Sequence, residues 1–409
     1  MAESPAGARA MCVWLGTLAS YRPGFIGELV LRYRTTAQAL AQPPGDIAEF
    51  AVRRRRGGRR AATGESPASR GAVEDASDAA RFAAVLAEGP RACLQRAERR
   101  PPGDLVVAWS ESLYPDQLRD LGDPPLCLFV RGGADPGTVR ARVSAIVDAP
   151  LVAVVGTRRP SPYGLDMARD IAGGLARAGL IVVSGMALGV DAAAQKAAVD
   201  AEVGLSPATV AVLGCGADVA YPRSNARLYS RIARSGLVVS EFAWGVPARA
   251  WRFPARNRVM AALGRAVVLV EGAERSGARI TAGHGLDIGR EVLCVPGEAG
   301  RKLSQAPNRL LGHGASVCES AEDVITAIGV GARGGDDGST TPLPVYVLDH
   351  GGAAIRDVLE ALTEASLTID QLAGRCGLAV AKAASAVSDL EIEGLARRVE
   401  GGRYRLLRQ

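Results

Sequence analysis

The chain has 409 residues, 48% hydrophobic and 22% charged, a composition that supports more than one folded core and excludes a disordered protein. Its formal charge of +6 favours an anionic partner, nucleic acid first among them. Lys196, Lys302 and Lys382 stand in no Walker-type phosphate loop, and His284, His313 and His350 have no metal-ligand spacing. The seven cysteines include no CxxC pair and read as reduced thiols in a cytoplasmic protein. No cofactor and no metal is expected. No apolar run approaches membrane-spanning length, so no membrane partner is expected either.

In chain order, Met11–Ser20 reads as domain core and not as a signal peptide, being short and without a convincing cleavage site. Residues 57–78 are small, polar and aperiodic, which predicts a linker. The run Arg53–Arg56 with Arg59 and Arg60 before it suits a solvated linker edge or an auxiliary phosphate contact. From Leu151 a repeated pattern begins: a short apolar strand, a Gly- or Ser-containing turn, then a helical stretch. Strands are predicted at Leu151–Val155, Leu180–Val183, Thr209–Leu213, Leu237–Val239, Ala266–Val270, Glu291–Val295 and Ala315–Cys318. Apolar runs without alternation indicate strands buried on both faces, and the helices between them imply parallel crossovers. The fold class is therefore α/β, a Rossmann-like doubly wound parallel sheet spanning about residues 101–330. Ser161 and Pro162 supply the start signal of its first helix. A Gly-rich linker, 331–342, leads to a tail of helical segments (355–364, 369–375 and 379–393) and a Gly401-Gly402 hairpin. That pattern predicts a winged helix over 343–409. Its third helix carries Lys382 against Asp389, Glu391 and Glu393, a poor sign for a phosphate-walled groove. Protein contact or regulation fits it better than sequence-specific DNA reading, although Arg397, Arg398, Arg403 and Arg405 on the wing leave backbone contact open.

The chemistry lies in the turns after the strands. They include Gly156-Thr157-Arg158, Ser184-Gly185, Gly214-Cys215-Gly216, Glu271-Gly272 and Pro296-Gly297, with Ser276 and Gly277 following. In an open parallel sheet such turns share one edge, where glycine admits close approach and helix N-termini offer N–H groups to anions. The first turn lacks the G-x-G-x-x-G spacing, which disfavours a dinucleotide. Arg249, Arg252, Arg256 and Arg258 fall within ten residues with no acid among them, interleaved with Trp251 and Phe253. Cations beside stacking aromatics suit single-stranded nucleic acid. The competing reading makes the aromatics core and the arginines solvated.

The strings VAVVGTRRPSPYG, VVSGMALGVDAAAQ, AVLGCGADVAYPRSN, FPARNRVMA, ERSGARITA and Val295-Pro296-Gly297 occur in one order. Together they resemble the bacterial DNA-processing protein A family, DprA, also called Smf. The resemblance is strong over about 149–324. It also makes Cys12–Leu40 similar to part of the family's small helical N-terminal domain, so residues 1–100 are expected to be a helical domain of SAM-like or helix-hairpin-helix-like type. Ser112–Gly132 is similar to the segment leading into the core. The resemblance implies a single-stranded DNA-binding protein, without a reaction of its own, that loads RecA recombinase in transformation or recombination and dimerises through its core. It implies as DNA-facing residues Gly156, Thr157, Arg158, Ser184, Gly185, Phe253, Arg256, Asn257, Arg258, Ser276 and Gly277; Arg249 and Arg252 join them from the arginine cluster. Departures are Gln195 where relatives often have His, Pro307 where Cys or Thr is commoner, and a slightly expanded 200–207. A nucleotide N-glycosidase remains the alternative, with Glu271 and Arg256 as acid and phosphate anchor, although Pro296-Gly297-Glu298 lacks the second Gly and the Thr of that family's phosphate turn.

Overall fold

The computed structural model describes residues 4–57, 76–201, 207–329, 358, 361–362, 367–392, 396–399 and 403–406. The chain forms two compact units, Met1–Arg333 and Gly334–Gln409. The predicted linkers lie largely outside the described residues, as do the side chains of the arginine run at Arg53–Arg56.

The first unit opens with α1 (Pro5–Ala19), α2 (Phe25–Tyr33), α3 (Thr36–Leu40), α4 (Pro44–Gly57) and α5 (Ala76–Glu98), the last kinked at Gly89-Pro90. Strands β1 (Asp104–Ala108) and β2 (Cys127–Arg131) and helix α6 (Pro136–Asp148) follow. Then comes the predicted alternation: β3 (Leu151–Val155), α7 (Pro162–Arg177), β4 (Ile181–Ser184), α8 (Val190–Asp200), β5 (Thr209–Val212), α9 (Ala226–Ser235), β6 (Leu237–Ser240) and α10 (Arg252–Leu263). It continues through β7 (Ala266–Leu269), α11 (Gly277–Asp287), β8 (Glu291–Cys294), α12 (Gln305–Leu311), β9 (Ser316–Val317) and α13 (Ala321–Ala327). The nine strands form one sheet in the order β1-β2-β6-β5-β4-β3-β7-β8-β9. Strands β3 to β9 run parallel to their neighbours within that set, and β2 pairs antiparallel with both β6 and β1.

Successive residues of each central strand serve opposite faces. Val152 and Val154 pack with Ala168, Ile171 and Leu175 of α7, whereas Ala153 and Val155 join Val259, Met260 and Leu263 of α10. The chain proceeds from β3 to β4, β5 and β6 on one side, then returns to place β7 on the other. The topological switch point, where such sheets bind ligands, therefore lies between β3 and β7.

The helical section, expected as a domain of its own, instead shares a continuous core with the sheet. Trp14, Phe25 and Phe82 belong to the same buried cluster as Phe129, Val238 and Phe242. Polar ties reinforce this: Ala243 N donates to Ser20 Oγ (2.9 Å) and Trp244 Nε1 to Ala97 O (3.0 Å).

In the second unit, α14 (Ile369–Cys376) and α15 (Val380–Ile392) pack with a three-stranded sheet of β10 (Leu367–Thr368), β12 (Arg403–Leu406) and β11 (Ala396–Val399), in that order. Thr368 and Gln371 form a reciprocal capping box at the start of α14, and Gly377 ends that helix at φ 64°, a left-handed value suited to glycine. Leu372, Val387, Leu390 and Tyr404 make its core. Two of the three helices of the predicted winged helix and the strands of its hairpin are thus in place; the first predicted helix, 355–364, and the Gly401-Gly402 turn lie largely outside the described residues.

Candidate nucleic-acid interface

At the switch point the N-terminus of α7 would ordinarily receive a phosphate. Here it already holds an anion, the carboxylate of Glu271. Ser161 donates to it from its backbone N (2.9 Å) and its hydroxyl (2.5 Å), and Thr157 N donates to Glu271 O (2.8 Å). Glu271 is 6% exposed and committed to this cap. This is the residue that the nucleotide-hydrolase alternative takes as its acid, and here both its carboxylate oxygens accept from Ser161.

The open space lies one strand further along. A pocket of about 90 Å³ sits over the ends of β4 and β5, lined by Arg158, Leu188, Gly214, Tyr221, Phe253 and the buried Arg256. The exposed Arg158 guanidinium stands over the Phe253 ring at 5.4 Å, and the Phe253 and Tyr221 rings lie 5.4 Å apart, tilted by 33°. Tyr221 is 39% exposed. A cation over one aromatic, beside a second aromatic and an opening, offers a phosphate contact and a stacking surface together.

Arg256 builds the floor. It is 4% exposed and donates to Gly185 O (2.8 Å) and Val212 O. A Cβ on Gly185 would stand 2.4 Å from its guanidinium, so glycine is required there. Buried Asp191 accepts from Gly185 N (3.2 Å) and Ala187 N (3.4 Å) and lends a compensating charge. Burial pushes the Asp191 carboxyl up, opposed by Arg256, and lowers the Arg256 guanidinium, opposed by Asp191. Burial likewise drives the Cys215 thiol at the pocket wall up to about 12.

The arginine cluster does not present its guanidiniums together to one ligand. Arg252 is 0% exposed and donates to Asp78 (2.9 Å) and Ser20 O (2.9 Å), riveting α10 to the helical section. Arg258 donates to Glu241 (2.6 Å) and pairs with Asp123 (3.4 Å). Both are internal ion pairs, because acids distant in sequence supply what the local sequence lacks. Arg249 is half-buried with Nη2 donating to Ser77 Oγ (3.2 Å). Ser184 is fully buried, its hydroxyl on Val154 O (2.7 Å), and Asn257 is spent on Gly277 O (3.1 Å). Gly156 and Thr157 are half-buried in the turn that carries Arg158. Ser276 caps α11 through Arg279 N (3.3 Å), with Gly277 exposed beside it on the β7 turn, across the switch point from the pocket. The fold thus brings Arg158, Gly185, Phe253 and Arg256 together at the pocket and turns Arg252, Arg258, Ser184 and Asn257 inward. Tyr221 was the missed residue; its only sequence signal is an aromatic next to Pro222 in the turn after β5. Among the described residues no cluster of three or more His, Cys, Asp or Glu could hold a metal, and no helix is long and apolar enough to cross a membrane.

Fold and site together define a Rossmann-like α/β protein with an appended winged helix and a cationic, aromatic pocket at the carboxyl edge of its sheet. Residues 105–329 match the family model of DNA recombination-mediator protein A, and residues 351–402 match the DprA winged helix domain. The chain is 40% identical over 294 residues to a DNA processing protein DprA of Mycobacterium tuberculosis, covering 71% of each. It is 34% identical over 312 residues to protein Smf of Escherichia coli, covering 76% of this chain and 79% of that one. The X-ray structure of DprA from Streptococcus pneumoniae is similar with a TM-score of 0.57 and 28% identity, covering 78% of this chain and 97% of the other. The chain belongs to the DNA recombination-mediator protein A family, DprA/Smf.

Proposed function

We propose that the protein binds single-stranded DNA at the Arg158–Phe253–Tyr221 pocket and delivers it to RecA recombinase, acting as a non-catalytic binding module, a homodimer, in the cytoplasm. The observation that carries the DNA reading is Arg158 held over Phe253 beside the open Tyr221 ring. A duplex keeps its base faces stacked and could not use that surface; an unpaired base can. Gly156 and Thr157 position the Arg158 turn, Gly185 and Arg256 support the floor, and Ser276 with Gly277 offers a further phosphate contact at the α11 N-terminus. The RecA, dimer and location elements rest on family membership, and the absence of catalysis on Glu271 being spent on the α7 cap. The test is competition between single-stranded and duplex DNA of one length at two salt concentrations. Tighter single-strand binding with little sequence preference supports the reading; equal affinity for both forms refutes it.

A further inference from the structure

The carboxyl edge of the sheet offers anions a place at the switch point and another in the turn after β4, and the chain fills both itself. At the switch point α7 opens with Ser161 at its N-cap and Pro162 in its first turn, and its dipole favours negative charge there. The Glu271 carboxylate, carried in from the end of β7, takes that position. The fit is close. A Cβ on Gly164, in the first turn of α7, would stand 2.3 Å from Glu271 Oε2, so a larger residue there would expel the carboxylate. Ser161 Oγ donates to Glu271 Oε1 and accepts from Gly164 N (3.1 Å), so one hydroxyl joins cap, helix and acid. The Tyr163 hydroxyl donates to Pro296 O (2.9 Å) and ties the same turn to the end of β8. In the turn after β4, Met186 has a left-handed φ of 55°, and the N–H groups of its neighbours Gly185 and Ala187 both point to Oδ2 of Asp191.

The two acids differ in what balances them. Asp191 faces the buried Arg256 guanidinium, whereas Glu271, 6% exposed, has no ion-pair partner among the described residues. Its charge is met by N–H and O–H donors and by the helix dipole, the same terms that hold a phosphate at a helix start. As a helix cap alone it is redundant, because Ser161 already caps α7 through its own hydroxyl, and burying a carboxylate without a cation is costly. What the carboxylate keeps out accounts for its presence. Free nucleotides carry phosphomonoesters of about two negative charges, and an empty switch point would draw them. The phosphates of a DNA strand are diesters with a single charge apiece.

We propose that Glu271 is a specificity-determining residue, an internal substitute for phosphate that closes the switch point to free nucleotides and other phosphomonoesters. The test is isothermal titration calorimetry of the full chain with inorganic phosphate and with adenosine monophosphate. Glu271→Ala and Glu271→Ser each vacate a space close in size to an orthophosphate and leave the Ser161 cap on Gly164 in place. Both variants should bind each probe at least about tenfold more tightly than the unaltered chain, about 1.4 kcal/mol, which is within what a helix N-terminus gives a partly buried anion. Added phosphate should raise their Tm and leave that of the unaltered chain where it was. Glu271→Gln keeps the space filled and should gain nothing, and Ser161→Ala added to Glu271→Ala should cancel the gain. Phosphate held elsewhere, at the Arg158 pocket included, is common to all variants and drops out of the comparison. Folded Ala and Ser variants with the phosphate affinity of the unaltered chain would overturn the proposal and leave Glu271 a helix cap. An equal gain in the Gln variant, or a gain that survives Ser161→Ala, would overturn it too. No DNA enters the test, so its failure and the failure of the pocket reading are independent.

Discussion

Two arginines that the sequence treats alike should behave oppositely when truncated. Arg256→Ala removes an enclosed guanidinium and strands the carbonyls of Gly185 and Val212, at about 1–3 kcal/mol for each unsatisfied group. It also leaves Asp191 buried without its compensating charge, and breaking such a set costs about 3–5 kcal/mol in total. At roughly 2 °C per kcal/mol for a unit of this size, Tm should fall by about 6–10 °C. Arg158→Ala removes an exposed side chain and should change stability by no more than about 0.5 kcal/mol. Its effect belongs to binding. Losing a charge-assisted phosphate contact of about 1.5–3 kcal/mol weakens single-strand affinity by about 10- to 100-fold and flattens the salt slope by about 0.7. Phe253→Ala should cost about 1–3 kcal/mol of binding for a lost stack while leaving the salt slope unchanged. Differential scanning calorimetry and salt-dependent fluorescence anisotropy on the same three variants read all of this. A normal Tm for Arg256→Ala with a flattened salt slope would refute the buried-floor account. Unchanged DNA binding in Arg158→Ala would refute the pocket.

Arg252→Ala should destabilise the first unit by about 3–5 kcal/mol, since Asp78 is left buried and unpaired; denaturant melts will show it. A chain ending near Thr341 should stay folded and keep single-strand affinity within about tenfold, about 1.4 kcal/mol, as measured by anisotropy. Iodoacetamide at pH 8 should modify the half-buried Cys376 before the buried Cys12, Cys93, Cys127, Cys215, Cys294 and Cys318, followed by peptide mass spectrometry. For Cys215 the sign is fixed by its pKa near 12: the thiol stays protonated below that pH, so its labelling remains slow until the protein unfolds.

The parallel core was legible because strands buried on both faces write themselves as uninterrupted apolar runs: Leu151–Val155 and Ala266–Leu269 fall where predicted. Strands β1 and β2 were not, since DLVVA and CLFVR lie in a loop-rich stretch and are fixed as strands by pairing with each other and with β6. Of the residues the sequence singles out, Arg158, Gly185, Phe253 and Arg256 meet at one pocket, whereas Arg252 and Arg258 are spent on internal ion pairs. A window of sequence displays cations without displaying Asp78, Glu241 and Asp123, which the fold delivers from 17 to 174 residues away. Tyr221 shows the converse: nothing local distinguishes a pocket aromatic from any other turn residue until β5 and α10 bring it to Phe253.

Photocrosslinking tests the central claim most directly. A single strand carrying 5-iodouracil, irradiated in complex with the full chain and mapped by peptide mass spectrometry, should form adducts at Phe253 or Tyr221. Adducts confined to the winged-helix unit or to α1–α5, with none at either ring, would contradict the account.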